Sequence, residues 1–460
     1  MRKRLGALSL ALLFATGCGD DDEPRGEPIT LPGADAGLAD TGPATDADLT
    51  TDAGPDADAG PDAAADPDTG ASPECNAFGG DPSVAPPRLN EHVAAWDPTL
   101  QRMVVFGGNT AVPENCGFPA YTFEAATWLY DPAAAAAGCP AWNRHDGPAP
   151  PGRTRAAATA SAEAIWLHGG RFRAAASGNY MVYGDLWRFT PDAGWTRVTP
   201  EGPSPAARFN HTLVYDSARD RLLLYAGNSA GGINPTVLAD VWAYDIAANT
   251  WTELDTDAPP SRRMWHAALY DPARDRMVIH GGGDETAFFD NAQYFDEVHA
   301  LDLTTNTWSR LHDGGAMAPD GRFWGTLVYD PTADRYLMFA GHDDGALGNR
   351  NDLAAFDPVA DRWQSLSVGD RFNRPANGFC DFPPDFTVIE PGTPERRNAH
   401  TAVWADDEML VFGGKTDCGA VDDVWHYRDA TGWTNPVIAT EGEMCIRFRA
   451  NPDNCVNMCF

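Results

Sequence analysis

Six arginines, Arg88, Arg153, Arg208, Arg263, Arg322 and Arg397, recur at one place in a repeated pattern, each within three residues after a proline. A guanidinium grips carboxylate, phosphate or sulfate through paired hydrogen bonds. Gathered together, six of them would make an anion site; taken singly, each would pair with an aspartate of its own or the adjacent unit. Four histidines, His92, His211, His266 and His400, also share one position, near the start of a strand. Such repetition points to a structural role, such as a hydrogen bond to neighbouring backbone. His168 and His280 stand where other units carry a core aromatic residue, and read as satisfied core histidines. His342-Asp343-Asp344, and Asp284-Glu285 with Asp290, offer loop oxygens of the kind that suit Ca²⁺. Neither has the spacing of a Ca²⁺ loop, so both read as solvated loops, and no metal or cofactor is expected. No Gly-x-Ser-x-Gly, His-Glu-x-x-His or phosphate-loop motif is present.

The elements that must position these groups are clearest in residues 209–254. Apolar runs at 211–215, 222–225, 241–244 and 251–254 are separated by turns rich in Asp, Asn and Gly, which predicts four short antiparallel strands. Such a unit cannot bury both faces alone and implies stacked neighbours. The neighbours follow from three markers. A tryptophan recurs in the last strand as Trp142, Trp195, Trp251, Trp308, Trp363 and Trp433. The second strand closes on an aromatic residue or histidine before Gly-Gly or Ala-Gly, as at Phe106, His168, Tyr225, His280, Phe339 and Phe412. A third marker, Trp128, Trp187, Trp242 or Trp425, falls in the third strand, with His299 and Ala354 in its place in units four and five.

These residues resemble a kelch repeat over about 350 residues. The resemblance implies an all-β, six-bladed β-propeller of kelch type, with four antiparallel strands per blade, over residues 75–440. In that topology the six arginines form a ring at one mouth of the central channel, and some eukaryotic kelch propellers use an arginine at this position to bind acidic peptides. Insertions at 109–125 and 369–395, with the loops at 228–239 and 284–295, emerge on one face, the usual seat of function on a rigid ring. Kelch enzymes that act on sugars are known, including a copper oxidase and a sugar-acid epimerase. The oxidase's copper-ligand set has no counterpart here, and no motif carries the epimerase's identity across. The expected function is therefore a binding module for an anionic glycan or acidic peptide, with a carbohydrate-active enzyme and a structural envelope component as alternatives.

Composition bounds the partners and the compartment. The formal charge is -33 over 460 residues, which disfavours nucleic acid or an anionic membrane surface as a main partner. Residues 1–18 pair a basic start with a short apolar run, too short to span a bilayer, and end in Ala15-Thr16-Gly17-Cys18. This resembles the lipobox of bacterial lipoproteins, with Cys18 as the lipidation site, a membrane anchor and an outer-membrane location implied. Residues 19–74 are rich in Asp, Ala, Gly and Pro and are expected to form a disordered tether. Eight further cysteines suggest disulfides in an exported chain. Cys380 and Cys418 fall in neighbouring loops of the implied ring and are the first expected pair. The Cys-rich tail, residues 441–460, is expected to staple back onto the body, with Cys75 as its candidate partner.

Overall fold

The computed structural model describes Cys75 and residues 83–110, 122–175, 178–232, 234–287, 294–343, 348–372, 387–388, 390–416 and 419–440. The expected leader with Cys18, the tether, the tail, and Cys380, Cys418, Asp290 and Asp344 lie outside these residues. Within the unit from Ala71 to Phe460, the architecture is a set of antiparallel meanders. Unit three is representative. Its strands Thr212–Asp216, Arg221–Asn228, Val237–Asp245 and Thr250–Leu254 pair in chain order, with Tyr225 opposite both Thr212 and Val241. The second strand is buried along almost its whole length because it lies between sheet neighbours and is packed on both faces. The first turn is built by Asp216, whose carboxylate accepts from the Ala218 amide and from Arg221 Nε at 2.8 Å. One short helix, Pro132–Ala136, interrupts the β pattern, capped by Asp131, which accepts from the amides of Ala133 and Ala134. Among the described residues no helix is long and apolar enough to cross a membrane.

The tryptophan and aromatic markers meet across units. Each last-strand tryptophan packs on the second-strand aromatic of the unit before it. Trp195 lies 5.4 Å from Phe106, Trp251 5.7 Å from His168, and Trp308 5.0 Å from Tyr225. Trp363 lies 5.0 Å from His280, Trp433 4.8 Å from Phe339, and Trp142 closes the series at 4.9 Å from Phe412. Large rings buried between sheets supply most of the packing that one sheet cannot supply alone.

The expectation of six equivalent four-stranded blades requires correction. Five discrete four-stranded sheets are present, while the strands of the remaining unit belong to a seven-stranded sheet. Thr326–Asp330, Arg335–Asp343, Gly348–Asp357 and Arg362–Ser367 keep the meander order. The third of these is long enough for Arg350 to pair with Arg397, and the two-residue strand Arg397–Asn398 pairs in turn with Lys415–Thr416. That bridge fuses neighbouring units into one sheet.

The expected partner of Cys75 is corrected as well. Cys75 bonds Cys139, 64 positions later, and so ties the start of the body to the outer side of unit one.

Candidate functional site

Five of the six arginines are buried, between 0% and 2% exposed. Arg208 is typical. It donates through Nε to the Ala206 carbonyl, through Nη1 to the Ala226 carbonyl, and through both Nη atoms to Asp240 at 2.7 Å. Arg153 pairs in the same way with Asp185, Arg322 with Asp352 and Arg397 with Asp423. Arg263 keeps the carbonyl bonds to Ser261 and Gly281, and its guanidinium lies 4.4 Å from the Phe295 ring centroid. Arg88 is out of frame by one residue. Its place is taken by Leu89, wholly buried, while Arg88 is partly exposed and donates to the Thr440 carbonyl. Five of the arginines are therefore staples within units, and the six do not form an anion-gripping ring. The geometry also explains the third marker: Trp187, Trp242 and Trp425 donate their indole N–H to Asp185, Asp240 and Asp423, two residues earlier.

The carbonyl that each staple grips belongs to the first residue of the double-glycine turn. That residue has positive φ and is alanine in two units, Ala226 at 58° and Ala340 at 54°. The second residue is glycine throughout. At Gly227 φ is 98°, and an added Cβ would stand 2.6 Å from His211 Cβ and 2.8 Å from the Phe209 carbonyl oxygen. The turn thus tolerates alanine first and only glycine second.

Two residues after the staple the backbone again turns left-handed, at Glu91, Arg155, Asn210, Trp265, Trp324 and Ala399, with φ between 51° and 63°. Their peptide groups close a circle. Arg155 N–H donates to the Glu91 carbonyl, Asn210 to Arg155, Trp265 to Asn210, Trp324 to Trp265, Ala399 to Trp324 and Glu91 to Ala399, over 2.9 to 3.3 Å. Beside this circle lies a layer with His92, His211, His266 and His400, and the two enclose a cavity of about 120 Å³. The histidines hold a repeated structural role, largely through side-chain partners of the neighbouring unit. His92 Nε2 meets Thr401 Oγ1 at 2.9 Å, His266 meets Thr212 at 2.8 Å and His400 meets Thr326 at 3.1 Å, each in the first strand of the preceding unit. His211 meets His168 Nδ1 at 3.0 Å. His280 Nδ1 contacts the Glu297 carbonyl at 3.2 Å. Burial pushes the imidazoles of His92, His168 and His280 down to about 3, and holds those of His211, His266 and His400 well below the usual range.

The side chains of the circle are chemically mixed, and they join a cluster of cations and rings. Arg155 pairs with Glu91 and lies 4.5 Å from the Trp324 ring. Arg171, 3.7 Å from the other Glu91 oxygen, lies 3.8 Å from the Tyr180 ring and 5.1 Å from that of Phe209. Arg173 adds a second guanidinium to Tyr180 at 4.5 Å. Trp265, Phe323 and Trp324 pack on one another at 4.9 to 5.5 Å, with Tyr294 and His342 against Phe323. Burial raises the Glu91 carboxyl, but Arg155 and Arg171 prevail and hold it at about 2, so it is ionised at neutral pH. Two guanidiniums on aromatic faces beside one carboxylate, with a third on the Tyr180 ring, suit an anionic group carried on an extended or ring-bearing ligand.

These residues escaped the sequence reading. The available signal was irregularity: the position two after the staple carries five residue types in six units, tryptophan alone occurring twice, inside a repeat that is otherwise regular. The acidic loops look different from a cation site. Asp284 caps the Thr286 amide, Glu285 lies 3.7 Å from Arg262, and His342 bonds Asn349. Among the described residues no three His, Cys, Asp or Glu side chains converge as metal ligands.

Residues 79–258 and 177–380 match the KLHDC2/KLHL20/DRC7 Kelch-repeats domain. The chain is similar to the leucine-zipper-like transcriptional regulator 1 homolog of Drosophila melanogaster, 27% identical over 292 residues, which cover 61% of this chain and 26% of that protein. It is similar to kelch domain-containing protein 10 of Xenopus laevis, 20% identical over 256 residues, 54% of each chain. Human kelch domain-containing protein 1 is 36% identical over 106 residues, 22% of this chain and 25% of that one. The chain thus spans from about a quarter to about half the length of these relatives.

Proposed function

Because this chain belongs to the kelch-repeat domain family, we propose that it is a protein-interaction module whose ligand is an acidic peptide segment. In this reading the fused sheet serves as the sixth blade, and the ligand sits over the circle of left-handed residues. The observation that carries it is the stacking of Arg155 and Arg171 on Trp324, Tyr180 and Phe209 beside that circle. Aromatic faces hold the guanidiniums in place, so a carboxylate is met by cations that lose little freedom on binding. The same chemistry also fits sulfated or carboxylated glycans, which form the second arm of the test.

Fluorescence anisotropy with a labelled Glu-rich peptide, competed by a sulfated glycan, is the direct measurement. Saturable peptide binding is expected, and Arg155→Ala combined with Trp324→Ala is expected to weaken it at least tenfold, about 1.4 kcal/mol. Unchanged affinity in that variant, or no saturable peptide binding, would overturn the reading.

The same proposal sets the propeller on a lipid anchor at Cys18, with residues 19–74 as its tether and the outer membrane as its location. Mass spectrometry of the N-terminal peptide from membrane-extracted protein tests this. An acylated cysteine at position 18 is expected; an unmodified Cys18 would refute the anchor.

A further inference from the structure

The last strand of a unit is an open sheet edge unless something covers it. In three units the chain covers it with the segment arriving from the previous unit. The Trp195 amide donates to the Pro148 carbonyl at 2.9 Å. Glu201 forms a parallel bridge with Thr250, its amide donating to the Asn249 carbonyl at 2.8 Å. Asp257 forms the same bridge with Thr307, and accepts from the Trp308 amide at 2.9 Å. These covering segments are alike in sequence: Asp146-Gly147-Pro148-Ala149-Pro150, Thr199-Pro200-Glu201-Gly202-Pro203, and Thr256-Asp257-Ala258-Pro259-Pro260.

At Arg362–Ser367 this cover is missing among the described residues. The arriving segment folds onto itself instead. Gly314 and Gly315 have φ of 78° and 90°, the Gly315 amide donates to Asp296 at 2.8 Å, and Ala318 donates to the Gly315 carbonyl. The result is a groove of about 1050 Å³ along the edge, bounded by Met317, Val359, Arg362, Trp363, Gln364 and Val368. Three of the large apolar side chains most exposed in the described structure line it, Met317 at 77%, Val359 at 76% and Val368 at 66%.

We propose that this edge is a second interaction surface, which takes an extended acidic and proline-containing segment of a partner protein as an added parallel strand. The occupant's chemistry is read from the sister units and from the one residue at the bridge position. Thr250 and Thr307 face Glu201 and Asp257 there, and the corresponding residue here, one before the conserved-position tryptophan Trp363, is Arg362. Arg362 is exposed, with Asp357 opposite it on the strand within the sheet and no strand on its outer side among the described residues. An acidic residue of the visiting strand at the bridge position would face a cation instead of a hydroxyl. Flanking prolines and small residues suit an edge where only alternate backbone groups bond, and strand addition supplies the affinity through main-chain hydrogen bonds.

The test uses the full chain and a fluorescein-labelled peptide of sequence Glu-Leu-Asp-Thr-Asp-Ala-Pro-Pro, identical to residues 253–260. Saturable binding is expected, with slowed hydrogen exchange at the Trp363 amide. Arg362→Glu, at an exposed site, should weaken binding at least tenfold, and a peptide with Arg in place of the second Asp should restore it. The Arg155→Ala, Trp324→Ala variant, whose mouth is disabled, should retain saturable binding that Arg362→Glu removes, which separates this surface from the mouth. No saturable binding, equal binding to Arg362→Glu, or exchange protection confined to other strands would overturn the proposal.

Discussion

Thermal stability is expected to fall steeply as pH drops from 7 to 5, with uptake of at least six protons on unfolding near pH 5. His92, His168, His211, His266, His280 and His400 are all buried, and burial keeps them neutral in the folded chain. Unfolded, each returns to about 6.5 and binds a proton below that pH. The stability they support is therefore whole above pH 6.5 and is lost progressively as pH falls from there. Each histidine contributes a slope of about 1.4 kcal/mol per pH unit in this window, about 8 kcal/mol for six. That rivals the total stability of an ordinary domain, about 5–15 kcal/mol. The large negative charge acts in the same direction, since it favours protonation of histidines in the unfolded chain. Most carboxylates do not titrate until pH falls further, so the window belongs to the imidazoles. Melting curves at pH 7.5, 6.5, 5.5 and 5.0, with calorimetry in buffers of different ionisation enthalpy, provide the check. A midpoint constant across this range, or unfolding without proton uptake, would refute the account.

Asp423→Ala is expected to be among the most damaging single substitutions. Arg397 is 0% exposed and Asp423 1%, joined by two hydrogen bonds of 2.7 and 2.9 Å. Removing the carboxylate strands a buried guanidinium on the carbonyls of Glu395 and Gly413 alone, and takes the acceptor from Trp425 Nε1. Breaking such a pair costs about 3–5 kcal/mol. Exchanging both partners, as in Arg397→Met with Asp423→Leu, should recover much of that loss, because no charge is then left buried. The equivalent alanine substitutions at Asp185, Asp352 and Asp240, whose side chains are 12%, 20% and 22% exposed, should cost less, since water can reach the abandoned site. Urea unfolding of the singles and the double measures this as a cycle. An Asp423→Ala variant within 1 kcal/mol of the parent would refute it.

The fold was legible because its markers are locally enforced and repeat. A tryptophan that must reach the preceding unit, and a glycine whose Cβ would strike a histidine, leave the same trace each time. The fusion of two units was not legible, because it depends on one backbone pairing, Arg350 with Arg397, between residues 47 apart. The arginines were visible, but their direction was not. Whether a guanidinium faces a channel or folds back onto Asp240 is decided by a carboxylate 32 residues later, and several aspartates lie at comparable distances. Arg88 looked equivalent through its proline, whereas the register is fixed by the Leu89 amide and carbonyl, which no side-chain pattern reports. The cluster around Arg171 and Tyr180 could not be foreseen for a related reason. Its members come from different units and meet only once the ring exists.

The circle of six peptide groups has a consequence for how the chain comes apart. A linear array of repeats possesses two ends, and those ends melt first and need polar caps. Here every peptide group in the circle gives one bond and receives one, from Glu91 around to Ala399 and back to Glu91. The array has no terminal member, hence nowhere for fraying to begin. Loss of any one unit breaks two of these bonds at once, which favours unfolding in one concerted step over unravelling from either terminus.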